Sequence, residues 1–528
     1  MARHVKTRRN PIPATALVAL LAAISVTGAS AATPLIPASA SPADQVARGK
    51  YLADAGDCAA CHTADGGRPF AGGLGMNSPF GVIMTPNITP DRDTGIGGWS
   101  DDEFYRVFHE GIGKGGEHLY PAMPFPWYTK VTRDDVLAIK AYLFTLEPVH
   151  APKQPNRMAF PFNVRAGLAA WDEAFLKVGT FESDPKQSAE VNRGAYLVQG
   201  LGHCGECHNG NSLLGNAKMS DRLQGGEINN WYAPNITSDM QTGIGRYTDA
   251  QVFTYLKTGA EPHMGVVAGP MAQTLHESLQ KLTDPDLHAI VAYLKSTPAE
   301  ADTKTSHPAE FASVRAPGAG TYLNFCASCH QANGKGLEGA IPALAGNGAV
   351  LAGGPQTIIR VILGGLEAQT TYGPMPSVGS GMTDQQVADV ANYVRQSWGN
   401  AAPPTAAAGM VGDLRKITHT LLTGTLPSGC PSIADTGLKA AIEAPGGKIA
   451  DTMKSMTLAT VMQSVDTMLA QVKAADPQAK QADIINSLTI AYCPVVAQDK
   501  SLSAPQKAAE LGQFSQMVYT QLADGGKN

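Results

Sequence analysis

The pattern of apolar and polar positions predicts a closing helix at the end of each of three successive parts of the chain. Each helix begins after a threonine in the N-cap position and carries a tyrosine ten residues later. The pairs are Thr132 with Tyr142, Thr283 with Tyr293, and Thr383 with Tyr393. Apolar residues recur at helical spacing in the first two helices, as Val136, Ile139, Ala141 and Leu143 and as Leu287, Ile290, Val291 and Leu294. We expect each closing helix to pack on the first helix of its own unit.

Two more apolar stripes follow near the C-terminus. They are formed by Leu458, Val461, Met462, Val465, Leu469 and Val472, and by Leu511, Phe514, Val518 and Leu522. Their helical period predicts a small helical extension over residues 410–525. Such stripes form a core more often than they form a membrane or partner surface, and we expect a core here.

The N-terminus has the pattern of a secretory leader. Four basic residues precede an apolar run from Ala14 to Val26, and Ala29-Ser30-Ala31 supplies small residues for a cleavage site. We therefore predict a signal peptide over residues 1–31, with an uncleaved anchor as the alternative, although the apolar run is short for a bilayer span. Cleavage leaves 36 basic and 45 acidic residues, a net charge of −9, which argues against a nucleic acid as partner.

The chain contains three copies of the pattern Cys-x-x-Cys-His. They are Cys58-Ala59-Ala60-Cys61-His62, Cys204-Gly205-Glu206-Cys207-His208 and Cys326-Ala327-Ser328-Cys329-His330. In this pattern both thiols can add to the vinyl groups of a haem, while the adjacent imidazole reaches the iron. The sequence therefore predicts three covalently bound haems c.

A Cys-x-x-Cys pair can also belong to a redox-active disulfide or to half of a zinc site. A thioredoxin-like motif is expected in a βαβ pattern, which the sequence lacks, and zinc would require two such pairs close together. Because histidine follows the second cysteine in all three copies, covalent haem attachment is the interpretation that we adopt.

Internal repeats divide the chain into units. The first two units open with Arg48-Gly49-Lys50-Tyr51-Leu52 and with Arg193-Gly194-Ala195-Tyr196-Leu197, and both carry Pro-Asn-Ile-Thr after the haem motif. The third unit opens at Gly318 and is a shorter relative. Segments rich in proline or polar residues separate the units, at 148–155 and 297–317. We expect domains over residues 42–150, 185–300 and 310–400.

A second axial ligand for each iron is expected in a loop before the closing helix. Methionine sulfur is a usual sixth ligand where an electron-transfer haem has a raised potential. Three methionines lie in such loops beside a proline, which lowers the ordering cost of presenting the sulfur, and these are Met123, Met271 and Met375. Core filling is the more common role of methionine, and Met264 lies near Met271.

Residues 42–400 resemble a known family in their haem motifs, their Pro-Asn-Ile-Thr segments, Tyr-Pro-Ala-Met-Pro and Gly-Pro-Met-Ala. They are similar to the triheme cytochrome c subunits of membrane-bound periplasmic dehydrogenases, known from quinoprotein alcohol dehydrogenase and from flavin-dependent gluconate, sorbitol and fructose dehydrogenases. The resemblance implies an all-α fold of three tandem class I cytochrome c domains, followed here by the helical extension. It also implies a separate quinoprotein or flavoprotein dehydrogenase subunit as the electron donor.

The resemblance implies ubiquinone as the acceptor, at the outer face of the bacterial inner membrane, for an exported periplasmic protein that associates peripherally with that membrane. It implies the axial pairs His62 with Met123, His208 with Met271, and His330 with Met375. The haems attach to Cys58, Cys61, Cys204, Cys207, Cys326 and Cys329. In related cytochromes a loop proline carbonyl accepts the proton of the proximal histidine, and the corresponding residues are Pro86, Pro234 and Pro342.

Two cysteines, Cys430 and Cys493, remain once six are assigned to haem. In an oxidising compartment a disulfide is their natural state, so we predict a Cys430–Cys493 bridge. Both lie in the extension, which does not resemble the family and leaves the mode of membrane attachment open.

An electron-transfer subunit that is not catalytic alone accounts for the motifs, and the sequence has no nucleophile elbow, P-loop or dinucleotide fingerprint. The alternatives are a cytochrome subunit of a molybdenum aldehyde dehydrogenase, a cytochrome serving an oxidase, and a haem peroxidase. A peroxidase needs an iron with an open or displaceable sixth position, and the three methionine candidates argue against it.

Overall fold

The computed structural model describes residues 41–522 with internal gaps. The gaps are residues 213, 219–221, 301–315, 332, 337–340, 367–371, 373, 419–432, 434–435, 444–447, 457–459, 480, 503–505, 508–509, 512, 515–516 and 519–520. The predicted signal peptide and Cys430 lie outside the described residues.

The first unit and the segment that follows it contain six helices and three short strands. These are α1 (Pro42–Ala55), α2 (Cys58–His62), β1 (Gly75–Ser78), β2 (Gly81–Met84), α3 (Asp101–Glu110), α4 (Phe125–Tyr128), α5 (Arg133–Leu143), β3 (Arg157–Met158) and α6 (Ala166–Phe175). The second unit repeats much of this order. It contains α7 (Ala189–Gln199), α8 (Gly205–His208), β4 (Gly226–Ile228), β5 (Trp231–Ala233), α9 (Asp249–Thr258), β6 (Ala260–Glu261), β7 (Gly265–Val266), α10 (Pro270–Glu277) and α11 (Asp284–Ser296).

The described part of the third unit and of the C-terminal region is helical. The third unit contains α12 (Ala319–Phe325), α13 (Ala327–His330), α14 (Gly348–Leu351), α15 (Gln356–Gly364) and α16 (Asp384–Gln396). The C-terminal region contains α17 (Ala408–Ile417), α18 (Thr436–Ile442), α19 (Lys448–Ser455), α20 (Val461–Ala475) and α21 (Gln481–Gln498). Every helix in the part of the chain that the structure describes is too short or too polar to cross a membrane.

Short antiparallel strands add to the helical fold that the sequence predicts. β1, β2 and β3 form one sheet, β4 pairs with β5, and β6 pairs with β7. The chain is therefore mostly helical, but it is not composed of helices alone. β1 with β2 and β4 with β5 are hairpins in the loops that follow the first two Cys-x-x-Cys-His motifs, whereas β3 follows α5 and the β6–β7 hairpin lies between α9 and α10.

The predicted helix caps are confirmed. Thr132, Thr283 and Thr383 are the N-cap residues of α5, α11 and α16, and each side chain accepts a hydrogen bond from the backbone N–H three residues later. The apolar face of α11 is buried as predicted. In α5, Val136, Ile139 and Leu143 are buried, but Ala138 rather than Ala141 completes the face.

Each closing helix packs on the first helix of its own unit, as predicted, and a glycine permits the close approach. A Cβ added to Gly49 of α1 would lie 1.8 Å from the backbone oxygen of Ala138 in α5. The second unit repeats this contact between Gly194 and Ala289, also at 1.8 Å. In the third unit a Cβ on Gly318 would lie 2.2 Å from the oxygen of Asp389. All three carbonyls belong to the residue six positions after the threonine cap.

The first two units share one hydrophobic core and exchange hydrogen bonds across it. Asp286 of α11 is fully buried and accepts from Arg193 of its own unit at 2.7 and 2.8 Å, and from the hydroxyl of Tyr51 at 2.6 Å. Asp135 of α5 is the counterpart in the first unit. It pairs with Arg48 and accepts from the hydroxyl of Tyr196 at 2.5 Å. Each unit thus supplies the tyrosine that completes the buried ion pair of the other unit.

A second core belongs to the third unit and includes α17, which the sequence analysis places at the start of the extension. Val411 and Leu414 of α17 are buried in this core, and Arg415 pairs with Asp384 at 2.8 Å. The third unit contacts the second through α15 and β5. The hydroxyl of Thr357 donates to the backbone oxygen of Tyr232 at 3.0 Å, and the Tyr232 N–H donates back at 3.0 Å.

A third core lies within the C-terminal region, as the apolar stripes predict. Val465, Leu469 and Val472 are buried in it, and so are Phe514, Val518 and Leu522. Of the other predicted positions, Val461 and Leu511 are half-buried, and Leu458 lies outside the described residues. Met462 is 42% exposed, and Met468 fills the buried position instead. Cys493 is buried and disulfide-bonded, and the six motif cysteines are free. Its pairing with Cys430 stays a prediction, because Cys430 lies outside the described residues.

Substitution of Gly49 by alanine should destabilise the first unit by at least about 1–3 kcal/mol, because the added carbon meets backbone and forces the two helices apart. Gly320 provides a matched control. It also lies in the first helix of a unit, but its added Cβ has no atom within 4 Å, so Gly320→Ala should be neutral or stabilise by up to about 1 kcal/mol. Denaturant unfolding measures both, and equal stabilities for the two variants would contradict the assigned contact.

Candidate haem-binding sites

Each Cys-x-x-Cys-His motif forms a short helical turn, in α2, α8 and α13. In the first two sites the residue before the first cysteine has a left-handed backbone, with φ of 54° at Asp57 and 33° at His203. The preceding helices α1 and α7 have already ended at Ala55 and Gln199, and the left-handed residue lies in the short turn that leads into the motif. One turn of helix then places both thiols and the imidazole of a motif close together.

The three motif histidines make the same hydrogen bond. Their Nδ1 atoms lie 2.9, 2.7 and 3.1 Å from the backbone oxygens of Pro86, Pro234 and Pro342, in chain order. The three prolines that the resemblance implied are therefore confirmed as acceptors. A carbonyl can only accept, so each Nδ1 carries the proton and each Nε2 keeps the lone pair that a metal needs. Burial lowers the pKa of all three imidazoles, which also favours the neutral form.

A glycine that no sequence motif indicated completes this arrangement in every site. Gly72, Gly225 and Gly336 donate their N–H to the backbone oxygens of His62, His208 and His330, at 2.7, 2.7 and 3.0 Å. All three have positive φ, and a Cβ on any of them would come within 3.0 Å of the carbonyl carbon of the acceptor proline. The glycines follow their histidines by 10, 17 and 6 residues, so a search for fixed spacing does not find them.

The motif thiols lie in surroundings that differ from those of a redox-active cysteine pair. Burial raises the pKa of Cys58, Cys207 and Cys326 to about 12, and that of Cys61 and Cys204 to about 11. Redox-active pairs instead have a lowered thiol pKa. Within the described residues, no group of three or more His, Cys, Asp or Glu side chains is arranged to hold a metal ion. The raised pKa of these five thiols argues against a redox-active cysteine pair.

The three candidate methionines lie between the motif and the closing helix, as expected. Met123 is half-buried in the turn before α4, and Met271 lies in the first turn of α10. Met375 is held by two backbone hydrogen bonds to Leu366, both of 2.9 Å. Met264 packs against the core shared by the first two units, as Met123 does, so both methionines of the second unit stay candidates.

Side chains of the first two sites are in direct contact, which the sequence did not indicate. Trp127 of α4, four residues after Met123, donates from Nε1 to Glu206 of the second motif at 2.7 Å. The neighbouring Tyr128 donates to the backbone oxygen of Gly56 at 2.7 Å, and its ring centroid lies 5.6 Å from that of His203. The methionine loop of the first unit thus leads directly into contact with the second haem motif.

The converse contact is made by the second unit. Gln273, two residues after Met271 on α10, donates to the backbone oxygen of Ala60 in the first motif at 3.5 Å. Ser278 donates to the backbone oxygen of Ala55 at 3.3 Å. The contacts between the two sites are therefore reciprocal: the segment that carries the methionine in each unit contacts the haem motif of the other unit.

Two buried carboxyl groups lie at this junction. Burial raises the pKa of Glu206 to about 7, and the hydrogen bond from Trp127 opposes the shift. Burial also raises the pKa of Asp57 to about 7, and nearby Glu277 adds to the increase. With a pKa of about 7, each carboxyl group is about half protonated at neutral pH, and the protonated form costs less to bury than a carboxylate would.

The third site adjoins the methionine region of the second unit. The N–H of Ala343, next to the acceptor Pro342, donates to the backbone oxygen of Pro262 at 3.5 Å. Tyr247 donates to the backbone oxygen of Gly346 at 2.8 Å. The guanidinium of Arg360 lies 4.1 Å from the ring centroid of Trp231. The indole of Trp231 also lies against Gly269, two residues before Met271. The three sites consequently form a continuous series.

These residues fit a covalently bound haem. Each site provides two thiols on one helical turn, a neutral imidazole with Nε2 available, and a methionine next to a proline, which lies in a loop for Met123 and Met375 but in the first turn of α10 for Met271. Thioether bonds and axial coordination require this donor set.

Gly72→Ala should weaken the hydrogen bond between His62 and Pro86, because its Cβ would lie 2.4 Å from the Pro86 carbonyl carbon. A weaker hydrogen bond makes the imidazole donate less electron density to the iron. The midpoint potential of the haem at Cys58 and Cys61 should therefore rise. Gly66→Ala is the control, since Gly66 has a similar positive φ and its added Cβ has no atom within 4 Å. Both variants should lose about 1–2 kcal/mol to backbone strain, and a potential change shared equally by both would exclude the proposed contact.

Comparison with known proteins places this site in a family. The profile of the cytochrome c family matches residues 46–147 and 316–398. The fructose dehydrogenase cytochrome subunit of Gluconobacter japonicus is 38% identical over 430 residues, which cover 75% of this chain and 88% of that protein. The gluconate 2-dehydrogenase cytochrome c subunit of Pantoea cypripedii is 38% identical over 395 residues, 70% of this chain and 89% of that protein.

A third relative has the same degree of similarity. The cytochrome c subunit of the quinone-dependent alcohol dehydrogenase of Gluconacetobacter polyoxogenes is 38% identical over 393 residues, 70% of this chain and 84% of that protein. Three relatives with different partner enzymes thus match this chain over most of their lengths, and all three are described as cytochrome subunits. The chain belongs to the family of haem c-containing, electron-transferring cytochrome subunits of fructose, gluconate and quinone-dependent alcohol dehydrogenases.

Proposed function

We propose that this chain is a triheme electron relay with one haem c in each of three tandem cytochrome c domains, over residues 42–150, 185–300 and 310–400. The threefold recurrence of one geometry carries the proposal: a Cys-x-x-Cys-His turn whose histidine donates to a proline carbonyl. The proposed attachment residues are the six motif cysteines, Cys58, Cys61, Cys204, Cys207, Cys326 and Cys329.

The axial pairs that we propose are His62 with Met123, His208 with Met271, and His330 with Met375. When bound, the haem iron supplies the one-electron chemistry. The chain orients each imidazole through its proline and glycine contacts, so that little reorganisation is needed when the charge of the site changes. Proline in the loops of Met123 and Met375, and before Met271, limits the freedom of the sulfur in the same way.

The contacts between units support a relay from site to site. Trp127 and Tyr128 join the first site to the second motif, and Trp231 lies between the Met271 segment and Arg360 of the third unit. The first two units also share buried ion pairs, so their sites are held at a fixed separation. A fixed separation between cofactors favours rapid transfer of single electrons.

The donor that we propose is the catalytic subunit of a periplasmic dehydrogenase, a quinoprotein or flavoprotein that oxidises an alcohol, a sugar or a polyol. The support is the similarity to the cytochrome subunits of a fructose dehydrogenase, a gluconate 2-dehydrogenase and a quinone-dependent alcohol dehydrogenase. The acceptor that we propose is ubiquinone, at the periplasmic face of the inner membrane, after export through the predicted signal peptide. The chain itself would hold no catalytic residue for the donor's substrate.

Cys204→Ala should impair covalent attachment of the second haem alone, because it removes one of its two thioether bonds, so the covalent haem content should fall below three per chain. A pyridine haemochrome assay on the purified chain measures the content. His203→Gln is the matched control: it changes the neighbouring residue, whose ring packs on Tyr128, and should retain three haems. Fewer than three haems in the unchanged protein would overturn the triheme proposal.

Met271→Ala should lower the midpoint potential of the second haem, by a part of the roughly 0.8 V range that axial ligation controls. Loss of the thioether removes a ligand that favours the ferrous state. Met264→Ala is the control, because Met264 is also half-buried and lies seven residues away. A spectroelectrochemical titration compares the two variants, and a larger change in Met264→Ala would transfer the ligand role to that residue.

A further inference from the structure

An exposed apolar surface surrounds the segment between the first two units. Of the ten large apolar residues that are exposed in the described residues, three lie within five positions: Phe160 (80% exposed), Phe162 (38%) and Val164 (51%). Leu214 of the second unit is 55% exposed, and the adjacent Gly215 lies against the ring of Phe80. Soluble proteins rarely concentrate exposed apolar groups in this way, and such concentrations mark interaction sites. We call the surface formed by Phe80, Phe160, Phe162, Val164, Trp171 and Leu214 the Phe160 surface.

The Phe160 surface is ordered by contacts on its inner side. The ring centroids of Phe80 and Phe162 lie 4.4 Å apart, and the N–H of Ala159 donates to the backbone oxygen of Phe80 at 2.9 Å. Trp171 donates from Nε1 to the backbone oxygen of Leu214 at 3.1 Å, which joins α6 to the second unit. The exposed rings are therefore presented by a fixed scaffold and do not belong to a loose linker.

The same segment is attached to the methionine loop of the first site. Tyr120, three residues before Met123, donates to the backbone oxygen of Phe162 at 2.8 Å. The guanidinium of Arg165 lies 5.1 Å from the Tyr120 ring centroid and donates to the backbone oxygen of His118 at 2.5 Å. The ring of Trp171 packs on Phe125 at a centroid distance of 6.3 Å. The Phe160 surface therefore covers the methionine side of the first site.

Charge distinguishes the kind of partner that this surface fits. From residue 148 to residue 171 the chain carries Lys153, Arg157 and Arg165 but no Asp or Glu, although the whole protein has a net charge of −5. Lys153 and Arg157 are exposed on the same segment of chain as the apolar rings. Exposed aromatic groups with basic residues at their edge are typical of surfaces that enter the headgroup region of a membrane containing anionic lipids.

We propose that the Phe160 surface docks on an anionic lipid bilayer, with Phe160, Phe162 and Val164 inserted among the lipids and Lys153 and Arg157 at the phosphate groups. This inference rests on the proposed function, which places the chain at a membrane. It adds which surface of the chain contacts the lipids. Docking in this way directs the Met123 side of the first site toward the bilayer. The site nearest to a lipid-soluble quinone is then the first one.

Vesicle flotation with the purified, haem-containing chain tests the proposal. The probes are phosphatidylcholine vesicles with and without phosphatidylglycerol. The unchanged chain should float with the vesicles that contain phosphatidylglycerol and be released by salt. Phe160→Ser should weaken binding by about tenfold or more, since it removes one inserted ring. Lys153→Gln should weaken it by about fivefold, and only for the vesicles that contain phosphatidylglycerol.

Met240→Ser is the matched control, because Met240 is 65% exposed and lies outside the Phe160 surface. It should bind vesicles as the unchanged chain does. Vesicle binding that Phe160→Ser leaves unaltered would overturn the proposal. Loss of co-purification with a dehydrogenase subunit in Phe160→Ser, without loss of vesicle binding, would also overturn it and make the surface a protein interface.

Haem content and reduction of a water-soluble acceptor, measured on the same samples, keep the two proposals apart. A chain that holds three haems and passes electrons to the soluble acceptor, but does not float with vesicles, contradicts the Phe160 surface and leaves the relay intact. A Phe160→Ser chain that loses vesicle binding while keeping its haems and soluble-acceptor activity supports the surface.

Discussion

The close crossing of the first and closing helices is the constraint on which each unit depends. Gly49, Gly194 and Gly318 bring one backbone against the carbonyl six residues beyond the threonine cap of the other helix. A side chain at these positions would separate the helices, because a backbone carbonyl cannot move aside as a flexible side chain can. The Cys-x-x-Cys-His turn follows directly after the first helix, so this crossing also determines where the thiols and imidazole lie.

The first two units are joined more closely than a tandem arrangement requires. Each buried aspartate is paired with an arginine of its own unit and completed by a tyrosine of the other. Loss of Tyr196 would remove the hydroxyl donor to Oδ2 of Asp135, and loss of Tyr51 would remove one of the two donors to Oδ2 of Asp286, so each unit stabilises the ion pair of the other. One shared core and two mutually contacting haem sites follow from the same exchange.

Within each site, a small arrangement persists while the loops around it change in length. The histidine donates to a proline carbonyl, and a glycine with positive φ donates to the histidine carbonyl while packing on that proline. This arrangement keeps the proton on Nδ1 and fixes the orientation of the ring. An axial ligand needs both, because Nε2 must offer its lone pair in the direction of the iron. The loop between histidine and glycine is free to vary, as the unequal spacings show.

The sequence by itself determined the local chemistry: the Cys-x-x-Cys-His turns, the threonine caps, the apolar face of α11 and the proline acceptors that the family resemblance implied. These features depend on residues within one or two helical turns, or on a motif that recurs intact. Tertiary structure alone decided that Tyr51 completes the Asp286 pair, that Trp127 reaches Glu206, and that α17 packs on the third unit. It also decided the glycine partners of the histidines, the short strands, the exposure of Met462 and the ordering of the Phe160 surface. Such contacts join residues far apart in the chain, and their geometry depends on how whole units pack, which no local spacing encodes.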